Sequence, residues 1–430
     1  MYALNYLYFV ILSLMLLLFL HSSGTNVKHP LLKKKRLIFN GPEIFWVLLF
    51  STGLLALSAP AGLDLMAVRL LFLEVLCLMA LAKATGRPSM PAPVKLYLVF
   101  MLWLIIGCLY SPSAFYGFRV ILKYLYPLLI LLTASAVVRH EEVMLKSALG
   151  SRIVALVALV IWLSTAEHLL LPGVFWYGTA RAINYITISM FSLALFFCLK
   201  HPRDLFFSAL FLLPCLLWVY RTSIMGSLVA LMVFALFRYR LKALPIIVLL
   251  FILGVGSVFY LPALRNKMFR DADITLTDFL AGKVNQQDIE SNARFAIWDY
   301  FEKRFYLDHE LTGSGTGATQ QHFYTRKLFG GLQVMHSDMV QMKCDNGIVA
   351  LGLYYGSILL MVLHSFRIYT RHKNPWVKLC AITAGSSLVG VAATMYSDNV
   401  VNYSMCTLSY PFGFYGMMLG LLKSHSSSHI

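Results

Sequence analysis

Continuous apolar runs recur along most of this 430-residue chain. Most are about 17 to 20 residues long, the length a helix needs to cross a hydrocarbon core roughly 30 Å thick. The runs fall near 3–21, 43–60, 66–84, 95–111, 120–138, 149–168, 183–199, 205–219, 223–238, 244–262, 347–365, 378–395 and 404–422. They predict an all-α polytopic membrane protein with about thirteen spanning helices, 12–14 at the limits. The runs do not alternate in polarity, so the pattern is not that of a β-barrel. Charged residues make up 13% of the chain, about half of what a soluble protein carries. Residues 1–21 are expected to remain as a first span with an outside N-terminus. No basic region precedes them, and Lys28, Lys33, Lys34, Lys35 and Arg36 follow them.

The net charge of +17 does not point to nucleic acid. Lysine and arginine cluster at Lys28–Arg36, Lys83–Lys95, Arg139–Arg152, Lys200–Arg203, Arg238–Lys242, Arg367–Lys378 and Lys423. Each cluster follows an odd-numbered run, which is the alternation of cytoplasmic loops. It places the C-terminus in the cytoplasm and the one long polar segment, between the tenth and eleventh runs, outside. Three regions are expected: membrane helices over 1–262, an extracytoplasmic loop over 263–346, and membrane helices with a short tail over 347–430. None of the seven cysteines forms a CxxC pair, and no HExxH, GxSxG or acidic ligand cluster occurs. Neither a metal nor another cofactor is expected.

The long loop holds most of the acidic residues and three notable pieces: Asn292–Trp298, Gly313–Gly317 and His336–Asp338. Phe295, Trp298, Phe301, Glu302 and Phe305 recur at helical spacing, which predicts an amphipathic helix over 292–305, lying on the membrane face or capping a cavity. Arg221 opens the ninth run at the same surface. It is either a snorkelling arginine or a ligand for an anion, and its planar fork suits a phosphate. Arg294 either stacks on Trp298 or pairs with Glu290, or it supplies a second cation. His336 is either structural or a general base, with Asp338 placed to orient it; His309 and His322 are its competitors. Asp345 is a candidate cap for the eleventh span, and Gly313–Gly317 reads as a tight turn. Arg119 and Lys123 lie one helical turn apart, and with Arg181 they would suit a pyrophosphate. Arg69 and Glu74 share the third run.

The order of these pieces resembles the O-antigen ligase and O-antigen (exopolysaccharide) polymerase superfamily of bacterial inner-membrane proteins. The resemblance covers about 115–365: Arg221-Thr-Ser223 opening a span, Arg294-Phe-Ala-Ile-Trp298, Gly313-Ser-Gly-Thr-Gly317, His336-Ser-Asp338, and a loop end running from Asp345 to Gly352. It implies a metal-independent inverting glycosyltransferase that takes glycan from undecaprenyl pyrophosphate at the outer face of the inner membrane. Arg221 and Arg294 match the family's paired arginines and would hold pyrophosphate, while His336 matches its loop histidine and would activate the acceptor hydroxyl. The partners implied are the lipid-linked donor, a lipid-linked acceptor sugar, membrane lipid, a flippase and a chain-length regulator. Many ligases carry His-Asn where this chain has His336-Ser-Asp338, which favours a polymerase over a ligase that loads lipid A core. Protein O-oligosaccharyltransferases share the donor. A transporter or flippase is the rival of another class.

Reporter fusions at Lys283 and Lys373 are expected to report opposite sides of the membrane, with Lys283 outside. Cytoplasmic signals from both would put the loop on the wrong face for an outer-leaflet donor.

Overall fold

The computed structural model describes residues 57–58, 65–84, 86–163, 175–176, 178–270, 274–285, 288–289, 293–326 and 334–427. Within them the regular elements are helices, apart from a two-residue antiparallel ladder pairing β1 (Leu57–Ser58) with β2 (Phe175–Trp176) and a single antiparallel bridge between Phe269 and Ile289. The expected run 3–21, and all of 43–60 except Leu57 and Ser58, lie outside the described residues.

The remaining apolar runs coincide with helices. They are α1 (Leu65–Lys83), α2 (Ala92–Leu109), α3 (Ala114–Val137), α4 (Glu141–Leu163), α5 (Gly178–Leu199), α6 (Arg203–Leu217), α7 (Arg221–Tyr239) and α8 (Leu244–Tyr260). The polar insert contributes α9 (Pro262–Met268), α10 (Leu276–Leu280), α11 (Arg294–Phe305) and α12 (Ala318–Arg326). The chain closes with α13 (Asp338–Arg371), α14 (Pro375–Thr394) and α15 (Ser409–Ser427). Among the described residues, seven helical segments are long and apolar enough to cross a membrane. One of them, Arg221–Tyr260, is broken by a 3₁₀ turn over Arg240–Ala243 that folds α8 back along α7.

Local chemistry sets the helix ends. Asn374 caps α14, accepting from the Trp376 and Val377 amides at 2.8 and 3.3 Å, with Pro375 pre-set for the first turn. Ser337 caps α13 by accepting from the Val340 amide at 3.2 Å. That cap starts α13 nine residues before the expected 347. The early turns are polar, yet they are buried by the insert and not by lipid, so an apolar-run reading starts the helix too late.

Two features position the site. The first is the α7–α14 contact, in which a Cβ on Gly226 would lie 2.8 Å from the Gly390 carbonyl, and one on Gly390 only 2.7 Å from the Ala230 Cβ. Small residues let the two backbones touch, the usual way helices associate where water supplies no drive. The start of α7 is thereby held beside the end of α14. The second is the insert's own small core of Ile297, Trp298, Phe301, Phe323, Met335, Val340 and Cys344. The amphipathic helix predicted over 292–305 is α11, and its Ile297, Trp298 and Phe301 are buried in this core. It packs on α13 and α12 in the capping role.

At Gly347, α13 takes a left-handed turn with φ 75°, and a Cβ there would come within 2.1 Å of the Leu311 carbonyl oxygen. Strain and clash both oppose any side chain. Gly347→Ala is therefore expected to cost about 2 to 4 kcal/mol. It should appear as a sharp drop in membrane-inserted protein by immunoblot and in thermal midpoint; unchanged values would show that the break in α13 is dispensable.

Candidate active site

Three chain corners meet where α7 begins, α11 begins and α14 ends. They enclose an open cavity of about 840 Å³, a size ordinary for a ligand site. Its outer rim is polar: Arg221, Asn266, Lys267, Arg294, Ser397 and Asp398. Its inner wall is apolar, formed by Met225, Leu228, Val229 and Met232 of α7 and by Leu250, Phe251, Val255 and Val258 of α8. From Arg221 to Met232 the groove runs about 16 Å along the helix axis.

The rim cations are held by backbone carbonyls. The Arg221 guanidinium donates from Nη1 to the Lys267 carbonyl. Lys267 Nζ donates to the carbonyls of Trp218 at 2.9 Å and Val219 at 3.4 Å, so these two cations lock the α6–α7 corner to α9. Arg294 Nη1 donates to the Ser397 carbonyl at 2.5 Å. The Arg294 Nε is buried and has no hydrogen-bond partner among the described residues. Burial pushes the Arg294 pKa down, against the opposing pull of Asp398. An arginine remains charged under such a shift. A half-buried cation with a buried, unspent Nε donor, on the wall of an open cavity, is suited to an anion.

His336 lies just behind this rim. Its Nδ1 is 3.9 Å from Asp398 Oδ1 and 3.3 Å from Asn399 Nδ2, and its side chain is 32% exposed. Its backbone sits at φ 53°, as Ala293 before Arg294 sits at 62° and Val219 near Arg221 at 51°. Left-handed non-glycine residues are uncommon and concentrate at functional corners. Asp338 does not play the orienting role expected from its sequence position. Its buried carboxylate accepts from the Val401 amide at 2.9 Å, and the carboxylate beside His336 is Asp398.

The other expected residues lie elsewhere. Lys123 donates to Asn402 Oδ1 at 2.7 Å and, with Asp338, lines a separate small polar cavity. Arg119 sits among the rings of Phe115, Tyr116 and Tyr324 at 5.7 to 5.8 Å. Arg181 is buried, with its guanidinium 4.3 Å from the Trp162 ring centre. None of these three lines the large cavity. His322 packs against Phe301 and Phe305 and shares a 3.0 Å hydrogen bond with Tyr300, and its pKa is held down by burial and then by Arg304 and Arg326. His309 is exposed. Asp345 caps no part of the eleventh span; it accepts from the Gly317 and Thr319 amides at 3.2 and 2.8 Å and so fixes the start of α12. Glu74 is buried in α1, away from this cavity.

Lys267, Asp398 and Asn399 were not singled out from the sequence. Their signals were present: Lys267 follows the tenth apolar run directly, and Tyr396-Ser-Asp-Asn399 is a polar break between the last two runs.

The sequence model of one family, described as O-antigen ligase, matches residues 206–355. The matched stretch holds Arg221, Lys267, Arg294 and His336, and stops short of Asp398 and Asn399. No curated protein matches the chain.

Replacing Arg221 or Arg294 by alanine is expected to remove about 3 kcal/mol or more of transition-state stabilisation, the scale of a lost oxyanion donor. Lysine keeps the charge but not the two-pronged geometry, so Arg221→Lys and Arg294→Lys should also be strongly impaired. Glycan transfer measured at matched protein level checks this, and near-normal transfer by Arg221→Ala would remove that residue from the site.

Proposed function

We propose, for a chain whose residues 206–355 match the O-antigen ligase family, that it polymerises polysaccharide repeats carried on undecaprenyl pyrophosphate at the outer face of the bacterial inner membrane. The family and the apolar helices make it a multi-pass membrane protein with an O-antigen ligase or polymerase type of function. The finer reading rests on one observation. Arg221 and Arg294, far apart in sequence, line one cavity whose rim is cationic and whose inner wall is apolar.

That distribution matches a pyrophosphate attached to a polyprenyl chain. The headgroup would meet Arg221, Lys267 and Arg294, and the first isoprene units would lie along α7 and α8. Several cations are required because the departing pyrophosphate carries several negative charges, and donors fixed beforehand stabilise that charge without reorganising. His336 takes the proton from the acceptor hydroxyl as its oxygen bonds to the anomeric carbon. The carbon–oxygen bond to pyrophosphate breaks, and its electron pair leaves with the phosphate. Attack and departure on opposite faces invert the anomeric centre. The acceptor is a second lipid-linked repeat, a choice supported by His336-Ser-Asp338 in place of the His-Asn of many ligases. The chemistry asks for no metal.

A deletion strain should accumulate lipid-linked single repeats. Accumulated long chains with bare core would instead make the protein a ligase. In a reconstituted assay with EDTA, His336→Ala is expected to insert normally, bind donor and lose about 10² to 10⁴-fold in turnover, the range of a general base. Full specific activity in that variant, or normal polymer in the deletion strain, would refute the reading.

A further inference from the structure

The turn after α14 carries an atom that the fold leaves unanswered. Asn399 is 2% exposed, and its Oδ1 is buried with no hydrogen-bond partner among the described residues. Its Nδ2 meanwhile lies 3.3 Å from His336 Nδ1. An unmet buried acceptor costs about 1 to 3 kcal/mol, and a rotation of the amide gives Oδ1 a donor while turning Nδ2 to the place that Oδ1 leaves. The amide's two ends have nearly the same shape. A half-turn about its terminal bond places Oδ1 where Nδ2 stands, within reach of the same ring nitrogen.

The two orientations select opposite tautomers of the neutral imidazole. With Nδ2 facing the ring, Nδ1 accepts and the proton sits on Nε2, where it blocks any base chemistry by that nitrogen. With Oδ1 facing the ring, Nδ1 carries the proton and donates it to Asn399, leaving the Nε2 lone pair open. A general base with one nitrogen turned into the turn needs the second arrangement. Asp398 Oδ1, 3.9 Å from Nδ1, favours the same choice, because a nearby carboxylate stabilises a protonated Nδ1 and the imidazolium that forms during transfer. Asp398 is itself held in place, since its Oδ1 accepts from the Asn399 amide at 2.8 Å.

We propose that Asn399 is a positioning residue that accepts from His336 Nδ1–H through Oδ1, fixing the tautomer in which His336 Nε2 takes the proton of the acceptor hydroxyl. This rests on the general-base reading of His336. The logic is that of the third member of a catalytic triad, where removing the orienting group leaves the base present but in the wrong tautomer. Asn399 touches neither donor nor acceptor in this scheme and acts only through His336.

The charged groups around the imidazole are Asp398 directly, Arg294 on the Ser397 carbonyl of the same turn, and Asp338 on the far side of the turn through Val401. Substitutions at 399 leave all three in place, so a change in the pH profile can be assigned to the lost or altered partner.

The test uses the full chain in nanodiscs, with lipid-linked repeats extracted from the deletion strain as substrate. Asn399→Ala is expected to lower kcat about 10- to 100-fold, the usual loss for a partner that orients a functional histidine, with donor KM changed less than about threefold. Asn399→Asp keeps an acceptor at the same place. It should recover most of kcat and move the acid limb of the pH–rate profile to higher pH, because a carboxylate stabilises the imidazolium and the base must be neutral. A role confined to packing predicts loss of folded protein with unchanged kcat per molecule, and either that result or an unmoved limb in Asn399→Asp overturns the proposal. The imidazole ¹⁵N signals of the wild-type protein, assigned by their loss in His336→Gln, read the tautomer without any variant at 399. A proton on Nδ1 supports the proposal, and a proton on Nε2 overturns it. His336→Ala is run in parallel. If that variant keeps its activity, the general-base reading falls and this inference with it. If it is inactive while Asn399→Ala is fully active, only the inference falls.

Discussion

A buried carboxylate in α13 organises the polar insert. Asp345 accepts the Gly317 and Thr319 amides at 3.2 and 2.8 Å, tying the glycine-rich turn to the helix that follows the insert. The turn is pinned from its other side as well. Ser111 donates to the Thr316 carbonyl at 2.7 Å, and the Thr316 amide donates to the Gly107 carbonyl at 3.1 Å. With its base fixed to α2, α3 and α13, the insert can present α12 rigidly. Phe323 of α12 then stacks on Phe301 of α11 with ring centres 4.3 Å apart, and α11 begins with Arg294. The position of a cavity cation thus follows from a carboxylate well removed from it in the chain. Losing that carboxylate would strand buried amides, which costs more than the bond itself contributes.

The second organising element is how the rim cations are held. Arg221, Lys267 and Arg294 each donate to a main-chain carbonyl. A carbonyl fixes the direction of the side chain but does not cancel its charge. The carbonyls come from Lys267, Trp218 and Ser397, which belong to three different corners, so the bonds that aim the cations also fasten the corners together. Asp398 is the counter-charge on the rim, and its Oδ1 lies 3.9 Å from His336 Nδ1.

Much of this was legible in the sequence, for a physical reason. Burial in lipid demands long apolar helices, so the runs from 66–84 onward fell on helices, and an aromatic periodicity of 3.6 residues marked α11 correctly. Arg221, Arg294 and His336 were each identifiable as polar residues at the boundary of an apolar run or on an amphipathic face, and the fold brings all three to one place. What failed were inferences about neighbours. Arg119 and Lys123 share a helix face, as their spacing requires, yet one meets aromatic rings and the other Asn402, because spacing along a helix says nothing about what packs against it. Asp338 was assigned to His336 by proximity in sequence, but α13 begins there and the side chain turns to the Val401 amide. Asp398 is brought to His336 by the packing of α13 on α14, where the Asp338 and Met339 amides donate to the Asp398 and Met395 carbonyls, a tertiary event with no local signal beyond the polar break itself.

The strained corners follow from the same constraint as the apolar runs. Among the described residues, five non-glycine positions have positive φ; Val219 and Ala293 stand where α7 and α11 begin, and His336 lies just behind the cavity rim. Such residues cost about 1 to 3 kcal/mol each unless their surroundings hold them. A membrane body offers few places for irregular backbone, since unsatisfied amides are excluded from lipid and tolerated only inside protein or along a cavity. A polar site at the edge of such a body therefore cannot be built from straight helices, whose amides are spent internally. It has to be built from helix ends turned sharply, each turn presenting one side chain and exposing carbonyls that can hold it. The left-handed corners achieve this: Val219 lends its carbonyl to Lys267 at 3.4 Å, Ala293 opens the helix that carries Arg294, and His336 directs its ring back into the turn that holds Asp398 and Asn399. Strain and side-chain placement are joined in one device, used at the two corners where α7 and α11 begin and in the turn just behind the cavity rim.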